Sequence, residues 1–553
     1  MQFFNKRILN ILFLAFSLCC LYLFFREYKI YLDISMADET VYMQRIKYDF
    51  TKLLGSFAPF YTLTYRFFHF FIQDYVDLHH FAIISLSWVP CVGLYFFLRS
   101  RQTPFLLSVY CSWCLLFSTF IMAFDWWPRI SHYSLFVIFI FYTFLFKYVE
   151  SYIKIFVYSG FFAMFMAFVR PEFMMSAYAF FILAFLFFIY QKYIKKQTIS
   201  EFFSKKEKVL ILSMILLIAF FIRIWHSPMY GGRMYFAMGQ HYTFNTIKWN
   251  KQDRLPFIHW EEIFKQKFGN SQSVGDMYKT NPTELKKHVA ENIKSYIVQT
   301  IDFSTELFFP KFIFAFNFYI KYAILFILFA FGIYFIGIKK YLFSLKQIVT
   351  EQGVFVFCMM MLIAPSVVAS IVIFPREHYY ILQLAFYYYL IYLLIYPFFD
   401  VLRKIPQKIQ IVLGILLFAF MVYSTPKLHE YKRYNSFHQY ERPNYLPYIY
   451  AVRNLNIKKT TTFLVSEILP IYMGDNFKIC IQFLKDKNFD VLMKEQDIGM
   501  IYISDVILKD YRFYNDSTWN YFIQHYQKNG WRKLQLKNRK EYIIYRKDLL
   551  DGK

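Results

Sequence analysis

A run of apolar residues, repeated many times at the width of a lipid bilayer, constrains this chain more than any other feature. Val209-Leu-Ile-Leu-Ser-Met-Ile-Leu-Leu-Ile-Ala-Phe-Phe-Ile222 is typical. A bilayer core is about 30 Å thick, and roughly 18 or more apolar residues in a helix cross it. Backbone N–H and C=O groups in hydrocarbon must be satisfied within the segment, so such a run is read as a helix. The pattern predicts about eleven transmembrane helices, near 8–25, 79–98, 104–124, 131–149, 154–169, 173–190, 208–225, 317–337, 353–374, 379–399 and 409–425. Composition agrees: 58% of the residues are hydrophobic, against about 45–50% in soluble domains.

The formal net charge of +25 would suggest nucleic acid in a soluble protein. Here Lys and Arg lie in loops between spans, and no basic stripe with interleaved aromatics stands apart from the membrane segments. No nucleic-acid partner is expected. The basic loops instead set orientation. Lys6-Arg7 place the N-terminus in the cytoplasm. Alternate loops carry Arg99 and Arg101; Lys147 and Lys154; Lys192 to Lys208; Lys339, Lys340 and Lys346; and Arg403, Lys404 and Lys408. With an odd number of spans the C-terminus falls outside. The apolar run Ile8–Phe25 is followed by Phe25-Arg26-Glu27, which offers no small-residue cleavage site, so it reads as an uncleaved first span. Of seven Cys, six fall inside expected spans and Cys480 stands alone in the C-terminal part. Cys111-Ser-Trp-Cys114 lies in an apolar helix without His or a second pair, and reads as packing.

Residues 1–425 therefore read as a transmembrane domain and 426–553 as a soluble α/β domain. Two outside loops are long. In the first, 26–78, Tyr42, Ile46, Phe50, Leu53 and Leu54 share a helical face, and Phe60–Ile72 is aromatic; both suit helices lying in the interface. In the second, 226–311, Asn281-Pro-Thr-Glu284 starts a helix, on which Leu285, Val289, Ile293 and Ile297 recur and His288 is expected on an exposed polar face. In the C-terminal part, Thr461–Ser466, Gly499–Ile503, Trp531–Leu536 and Glu541–Tyr545 read as strands and Asn515–Lys528 as a helix stopped by Asn529-Gly530, with a turn at Asn538–Lys540.

Polar residues near a bilayer are costly and therefore informative. Five groups fall on the outer side: Asp38-Glu39; Asp125-Trp-Trp-Pro-Arg129 with Ser131-His132-Tyr133; Arg170-Pro171-Glu172; Arg233 with Gln240-His241; and Pro375-Arg376-Glu377-His378-Tyr379-Tyr380. Carboxylates beside Arg and His suit transfer chemistry on a phosphorylated lipid. A carboxylate accepts a proton from an attacking hydroxyl, and cations stabilise a leaving phosphate. Each group also has an ordinary explanation. Asp38 suits a helix N-cap, and Glu39 suits a first helical turn. Arg129 and Arg170 suit side chains that snorkel to headgroups. Arg376 suits an ion pair with Glu377.

The order of these segments resembles the GT-C glycosyltransferases, in particular the bacterial branch related to protein O-mannosyltransferases and lipid A aminoarabinose transferases. The resemblance is carried by Ala37-Asp-Glu-Thr-Val-Tyr42, Phe57-Ala-Pro-Phe-Tyr-Thr-Leu-Thr-Tyr-Arg66, Arg129-Ile-Ser-His-Tyr-Ser134, Arg170-Pro-Glu172, Gly232-Arg-Met-Tyr-Phe-Ala-Met-Gly-Gln-His241 and Pro375-Arg-Glu-His-Tyr379. It covers the membrane region in order, and the C-terminal α/β part is similar to the periplasmic domain of many members. It implies a multi-pass helical GT-C fold and inverting transfer of a sugar from a polyprenyl-phosphate donor to a protein, lipid or glycan acceptor. Asp38 matches the family's general base, and Glu39 the second acidic residue, supporting acceptor or base. Arg376, His378, Tyr379, Arg170 and Arg233 would hold the lipid phosphate. Arg129, His132, Glu172, Gln240 and His241 would line the substrate pocket. Thr40-Val41-Tyr42 departs from the commonest continuation after the acidic pair. Some members need a divalent metal; here no carboxylate cluster has ligand spacing, and no metal is expected. The implied setting is a monomer in the bacterial cytoplasmic membrane with its C-terminal domain in the periplasm. An O-antigen-type ligase or polymerase is the alternative enzyme, and a transporter or lipid flippase the alternative outside enzymes. The ligases and polymerases usually place their main outside loop late, and a transporter calls for two related halves.

Overall fold

The computed structural model describes residues 6–34, 38–122, 128–194, 196, 203–224, 233–251, 256–311, 313–314, 317–428, 445–457, 459–465, 469–481, 485, 487–535 and 540–550. It is a mostly helical membrane-protein architecture with a small C-terminal sheet. Among the described residues seven helices are long and apolar enough to cross a bilayer: Lys6–Phe25, Tyr75–Ser100, Ile130–Tyr148, Phe173–Ile194, Tyr319–Ile336, Ile338–Val372 and His378–Phe398. Three further expected spans fall on shorter apolar helices, Phe105–Leu116, Tyr152–Ala167 and Lys408–Tyr423. The fourth falls on Lys205–Ile224, whose ends carry Lys205, Lys206, Glu207, Lys208 and Arg223.

Two differences from the sequence pattern have clear causes. The expected span 104–124 breaks after Leu116, and a new helix starts at Thr119. There the Glu306 carboxylate accepts hydrogen bonds from both the backbone N–H and the hydroxyl of Thr119, each 2.8 Å. The expected loop bearing Lys339 and Lys346 is helical, fused with the following span into one helix of 35 residues, Ile338–Val372. Gly337, at φ +84°, makes the whole connection from the preceding helix, a conformation that glycine adopts without a Cβ clash.

The first outside loop holds helices Asp38–Gln44, Phe50–Leu54 and Pro59–His69. The first expected amphipathic stretch is broken because Asp49 caps a fresh helix, its side chain accepting from the N–H of Lys52 at 2.8 Å. Tyr42, Ile46, Leu53 and Leu54 are buried as expected, whereas Phe50 is 55% exposed.

Among the described residues the C-terminal sheet has five strands: β1 Thr461–Val465, β2 Phe477–Ile481, β3 Ile498–Ile503, β4 Trp531–Gln535 and β5 Tyr542–Arg546. Their order is β2-β1-β3-β5-β4. β2, β1 and β3 are parallel, while β5 runs antiparallel to β3 and β4. Four strands match the sequence pattern; β2 was not expected. Helix Ser517–His525 matches, and Gly530, at φ +79°, follows it before β4. Asn538 and Arg539 of the expected turn lie outside the described residues. Side chains alternate across the sheet. Leu464, Ile501, Ile503 and Ile544 face a separate core with Phe489, Trp519 and Phe522. Phe463, Val465, Met500, Tyr502, Ile543 and Tyr545 belong to the core that also contains the first loop and the apolar helices. One face of the sheet is thus continuous with the membrane part.

Candidate active site

The acidic pair opens helix Asp38–Gln44. The side chain of Asp38 lies outside the described residues. Glu39 is 1% exposed. Tyr61 and Tyr65, on the facing helix Pro59–His69, both donate to its Oε1, and the backbone N–H of Arg129 donates to Oε2 at 2.6 Å. Burial pushes the Glu39 carboxyl up, opposed by these three hydrogen bonds and by the Arg129 charge. This carboxylate is enclosed by protein donors: its geometry is that of a fastener joining the acid-bearing helix to its neighbours.

Arg129 is fully enclosed too, 1% exposed, rather than reaching toward headgroups. Its Nη1 donates to the carbonyl of Ile121 at 2.8 Å and lies 2.8 Å from His132 Nε2. His132, also buried, has that nitrogen 2.9 Å from the carbonyl of Phe120. The pair therefore ties the start of helix Ile130–Tyr148 to the short helix Thr119–Met122. Asp125 lies outside the described residues.

In the first turn of helix Ile130–Tyr148, Ser131 accepts from Arg170 Nη1. Arg170 Nε donates to Glu172 at 2.6 Å, and the guanidinium sits 5.4 Å from the Tyr379 ring centroid. Arg170 is 7% exposed, so it too is packed inside rather than snorkelling. The hairpin residues Arg170-Pro171-Glu172 are thereby joined to the start of helix Glu377–Ile395.

Arg376 is the N-cap of that helix and is half-buried. His378 and Tyr379 follow with their rings 4.3 Å apart. The side chain of Glu377 lies outside the described residues, so its expected pairing with Arg376 does as well. On helix Arg233–Asn250, His241 stacks 5.5 Å from Phe374. Burial, and then the charge of Arg376, hold the His241 imidazole well below its ordinary range. Gln240 is half-buried on the same helix, and the Arg233 side chain is outside the described residues.

The support under Arg376 was not legible in the sequence. His288, expected at an exposed face, is fully buried. Its Nε2 lies 2.9 Å from the carbonyl of Ile373. Asn292 donates to the carbonyls of Ile371 and Ile373 at 3.1 and 3.2 Å, and Asn245 donates to Asn292 at 3.0 Å. Burial pushes the His288 imidazole down to about 4, so it works here as a neutral hydrogen-bonding ring. Helices of the large loop thus grip the last turn before Pro375-Arg376.

The five polar groups form a chain of contacts: Glu39 to Arg129, Ser131 to Arg170, Arg170 to Tyr379, and His241 to Phe374, two residues before Arg376. Tyr61, Tyr65, Asn245 and Asn292, not singled out from the sequence, and His288, expected on an exposed face, complete it. Among the described residues no group of three His, Cys, Asp or Glu side chains could hold a metal ion. A surface cleft of about 490 Å³ lies in the sheet domain, between Phe489, Tyr521, Phe522 and Trp531, and shares none of these residues. No protein-family model matches the chain, and no curated protein matches it either.

Proposed function

We propose that this chain is a membrane glycosyltransferase that moves a sugar from a polyprenyl-phosphate donor to an acceptor hydroxyl at the outer face of a bacterial cytoplasmic membrane. The observation that carries this reading is the chain of contacts above. It brings an acid-bearing helix, three arginines and a histidine from five distant segments into one connected site at the ends of apolar helices. In the proposed reaction Asp38 takes the proton of the acceptor hydroxyl. The hydroxyl oxygen attacks the anomeric carbon from the face opposite the leaving group. The bond from that carbon to the phosphate oxygen breaks, and the configuration inverts. Arg376 and His378 stabilise the departing polyprenyl phosphate, and Arg170, Tyr379 and Arg233 are the further residues assigned to it. Arg376 suits this role because the N-terminus of helix Glu377–Ile395 adds positive potential of its own. Arg170 arrives already oriented by Ser131 and Glu172, so little reorganisation accompanies charge development. Glu39, Arg129 and His132 act as positioning residues.

The proposed topology has eleven spans, a cytoplasmic N-terminus and a periplasmic sheet domain. The docking of the sheet domain on the first loop supports it. Asp33 accepts hydrogen bonds from the N–H groups of Tyr445 and Leu446 at 2.8 and 2.9 Å. Residues in contact share one side of a membrane, so the number of crossings between them is even and the total, with helix Lys6–Phe25, is odd. The buried charged residues also weigh against a transporter. Within residues 1–425, among the described residues, they are Glu39, Arg129, Arg170, Glu306 and Lys321. All sit in loops or at the ends of apolar helices rather than along a path through the middle.

The test is transfer in reconstituted vesicles supplied with polyprenyl-phosphate sugars, comparing wild type with Asp38→Asn. The variant is expected to keep its fold and bind donor while losing transfer by about 100-fold or more, the range of general-base catalysis. Full activity in the variant would refute the assignment.

A further inference from the structure

We propose that the sheet domain is a working part of the transfer site and that Tyr472 is the positioning residue through which it acts. This rests on the transferase reading above. Tyr472 ends the short 3-10 turn Leu469–Tyr472 of the sheet domain, yet its ring is fully buried against the first loop. Its hydroxyl is 3.0 Å from Thr40 Oγ1, 3.3 Å from His79 Nδ1 and 3.5 Å from Met43 Sδ. The ring stands edge-on to His79, 5.8 Å between centroids. Thr40 is itself fully buried. It follows Glu39 and lies two residues after Asp38, so the first turn of helix Asp38–Gln44 is gripped from two sides. Tyr61, Tyr65 and the Arg129 N–H hold Glu39; Tyr472 holds Thr40.

The sheet domain is built to bring Tyr472 to that place. Asp33 caps the start of helix Tyr445–Asn454. At the other end of this helix, Arg453 Nη1 pairs with Asp74 at 2.8 Å while its Nε donates to the carbonyl of Tyr472 at 2.7 Å. Lys47 pairs with Asp475, three residues beyond Tyr472. Asp33, Thr40, Lys47 and Asp74 span the first loop from end to end. Helix Tyr445–Asn454 is thus bracketed by two loop carboxylates, and one of its side chains passes that alignment to the backbone of Tyr472. Such precision matters to a general base: a misplacement of about 1 Å costs on the order of 100-fold in rate. Tyr472 touches no reacting atom; it acts by fixing the turn that carries Asp38.

The experiment uses the full chain in lipid nanodiscs. Tyr472→Phe deletes only the hydroxyl, and Thr40→Val deletes its partner from the opposite side. Each is expected to lower kcat about 10-fold, the rate equivalent of one hydrogen bond, while KM for the lipid-linked donor stays within about twofold. The double variant is expected to match either single one, because the two hydroxyls act as one unit. Backbone hydrogen exchange in 38–44 is expected to rise in all three. Wild-type kcat in Tyr472→Phe, a change confined to KM, or single effects that multiply in the double variant would each overturn the proposal. A wild-type protein with no transfer activity would instead sink the transferase reading. The exchange measurement would still judge the grip on the turn, and unchanged exchange in 38–44 would refute it.

Discussion

Replacing Glu306 by Gln is expected to make the protein more stable at alkaline pH and to leave it nearly unchanged at acid pH. Glu306 is 3% exposed and sits between helix Pro282–Ser304 and the span Tyr319–Ile336. Burial pushes its carboxyl up to about 7 from an ordinary 4.5, against the two Thr119 hydrogen bonds and the charges of Lys311 and Lys321. A raised carboxyl binds its proton more tightly in the folded chain than in the unfolded one. Its contribution is therefore complete below the unfolded value of 4.5 and is lost as pH rises through about 7. At about 1.4 kcal/mol for each tenfold change, the charged form costs the folded state about 3 kcal/mol. Both Thr119 donors converge on a single oxygen, Oε2. The amide oxygen of Gln can accept both, so Glu306→Gln imitates the protonated acid without its titration. The assay is thermal unfolding of the detergent-solubilised protein followed by intrinsic fluorescence from pH 5 to 8.5. The wild type is expected to lose ground to Glu306→Gln progressively between about pH 4.5 and 7, so that the gap is smallest at pH 5 and constant at alkaline pH. A variant that unfolds before the wild type at pH 8, or a gap independent of pH, would refute the reasoning.

Two further outcomes follow from packing. Glu39→Ala leaves the hydroxyls of Tyr61 and Tyr65 and the N–H of Arg129 buried without their acceptor, at about 1–3 kcal/mol each; its unfolding midpoint should fall well below that of Tyr61→Phe, and equal midpoints would contradict the geometry. Gly239→Ala should loosen the large loop. A Cβ there collides with the Trp260 ring, and overpacking of about 1–3 kcal/mol outweighs the ~1 kcal/mol that Ala otherwise gains over Gly in a helix; faster chymotrypsin cleavage within 233–280 is the readout, and cleavage at the wild-type rate would count against it.

The features legible in the sequence were those with a strong period. Apolar runs marked the apolar helices, and Asn281-Pro282 marked a helix start that the structure reproduces, with the Asn281 side chain accepting from the Glu284 N–H at 3.2 Å. Alternation marked four strands. β2, Phe477-Lys-Ile-Cys-Ile481, is as long as β1, β4 and β5, but Lys478 is its one charged residue in an otherwise apolar run, so the alternation that marks a half-buried strand is weak there. The helix Pro282–Ser304 misled for a different reason. A period of four pointed to Leu285, Val289, Ile293 and Ile297 as its inward face. In the structure Leu285, His288 and Asn292 are buried, while Ile293, Ile297, Val298 and Ile301 are 39–60% exposed. Beside a bilayer the apolar stripe of a helix has a second place to go, so hydrophobicity alone no longer says which face meets protein. The candidate site was legible as a set of costly polar residues. Its wiring was not, because it depends on tyrosines, asparagines and a threonine that are unremarkable one at a time.

The bond between Thr40 and Tyr472 joins residues 432 positions apart. A ribosome adds about 5–20 residues each second, so roughly 20 to 90 seconds separate the synthesis of the two partners. Throughout that interval the acid-bearing loop is already made while every later helix is still being delivered. The turn that carries Asp38 can take its final form only when the last domain emerges and docks. A chain cut short between residues 129 and 472 would contain the whole acidic loop and the partners of Glu39 and still lack the hydroxyl that holds Thr40 from the other side, which makes completion of synthesis itself a condition for an assembled site.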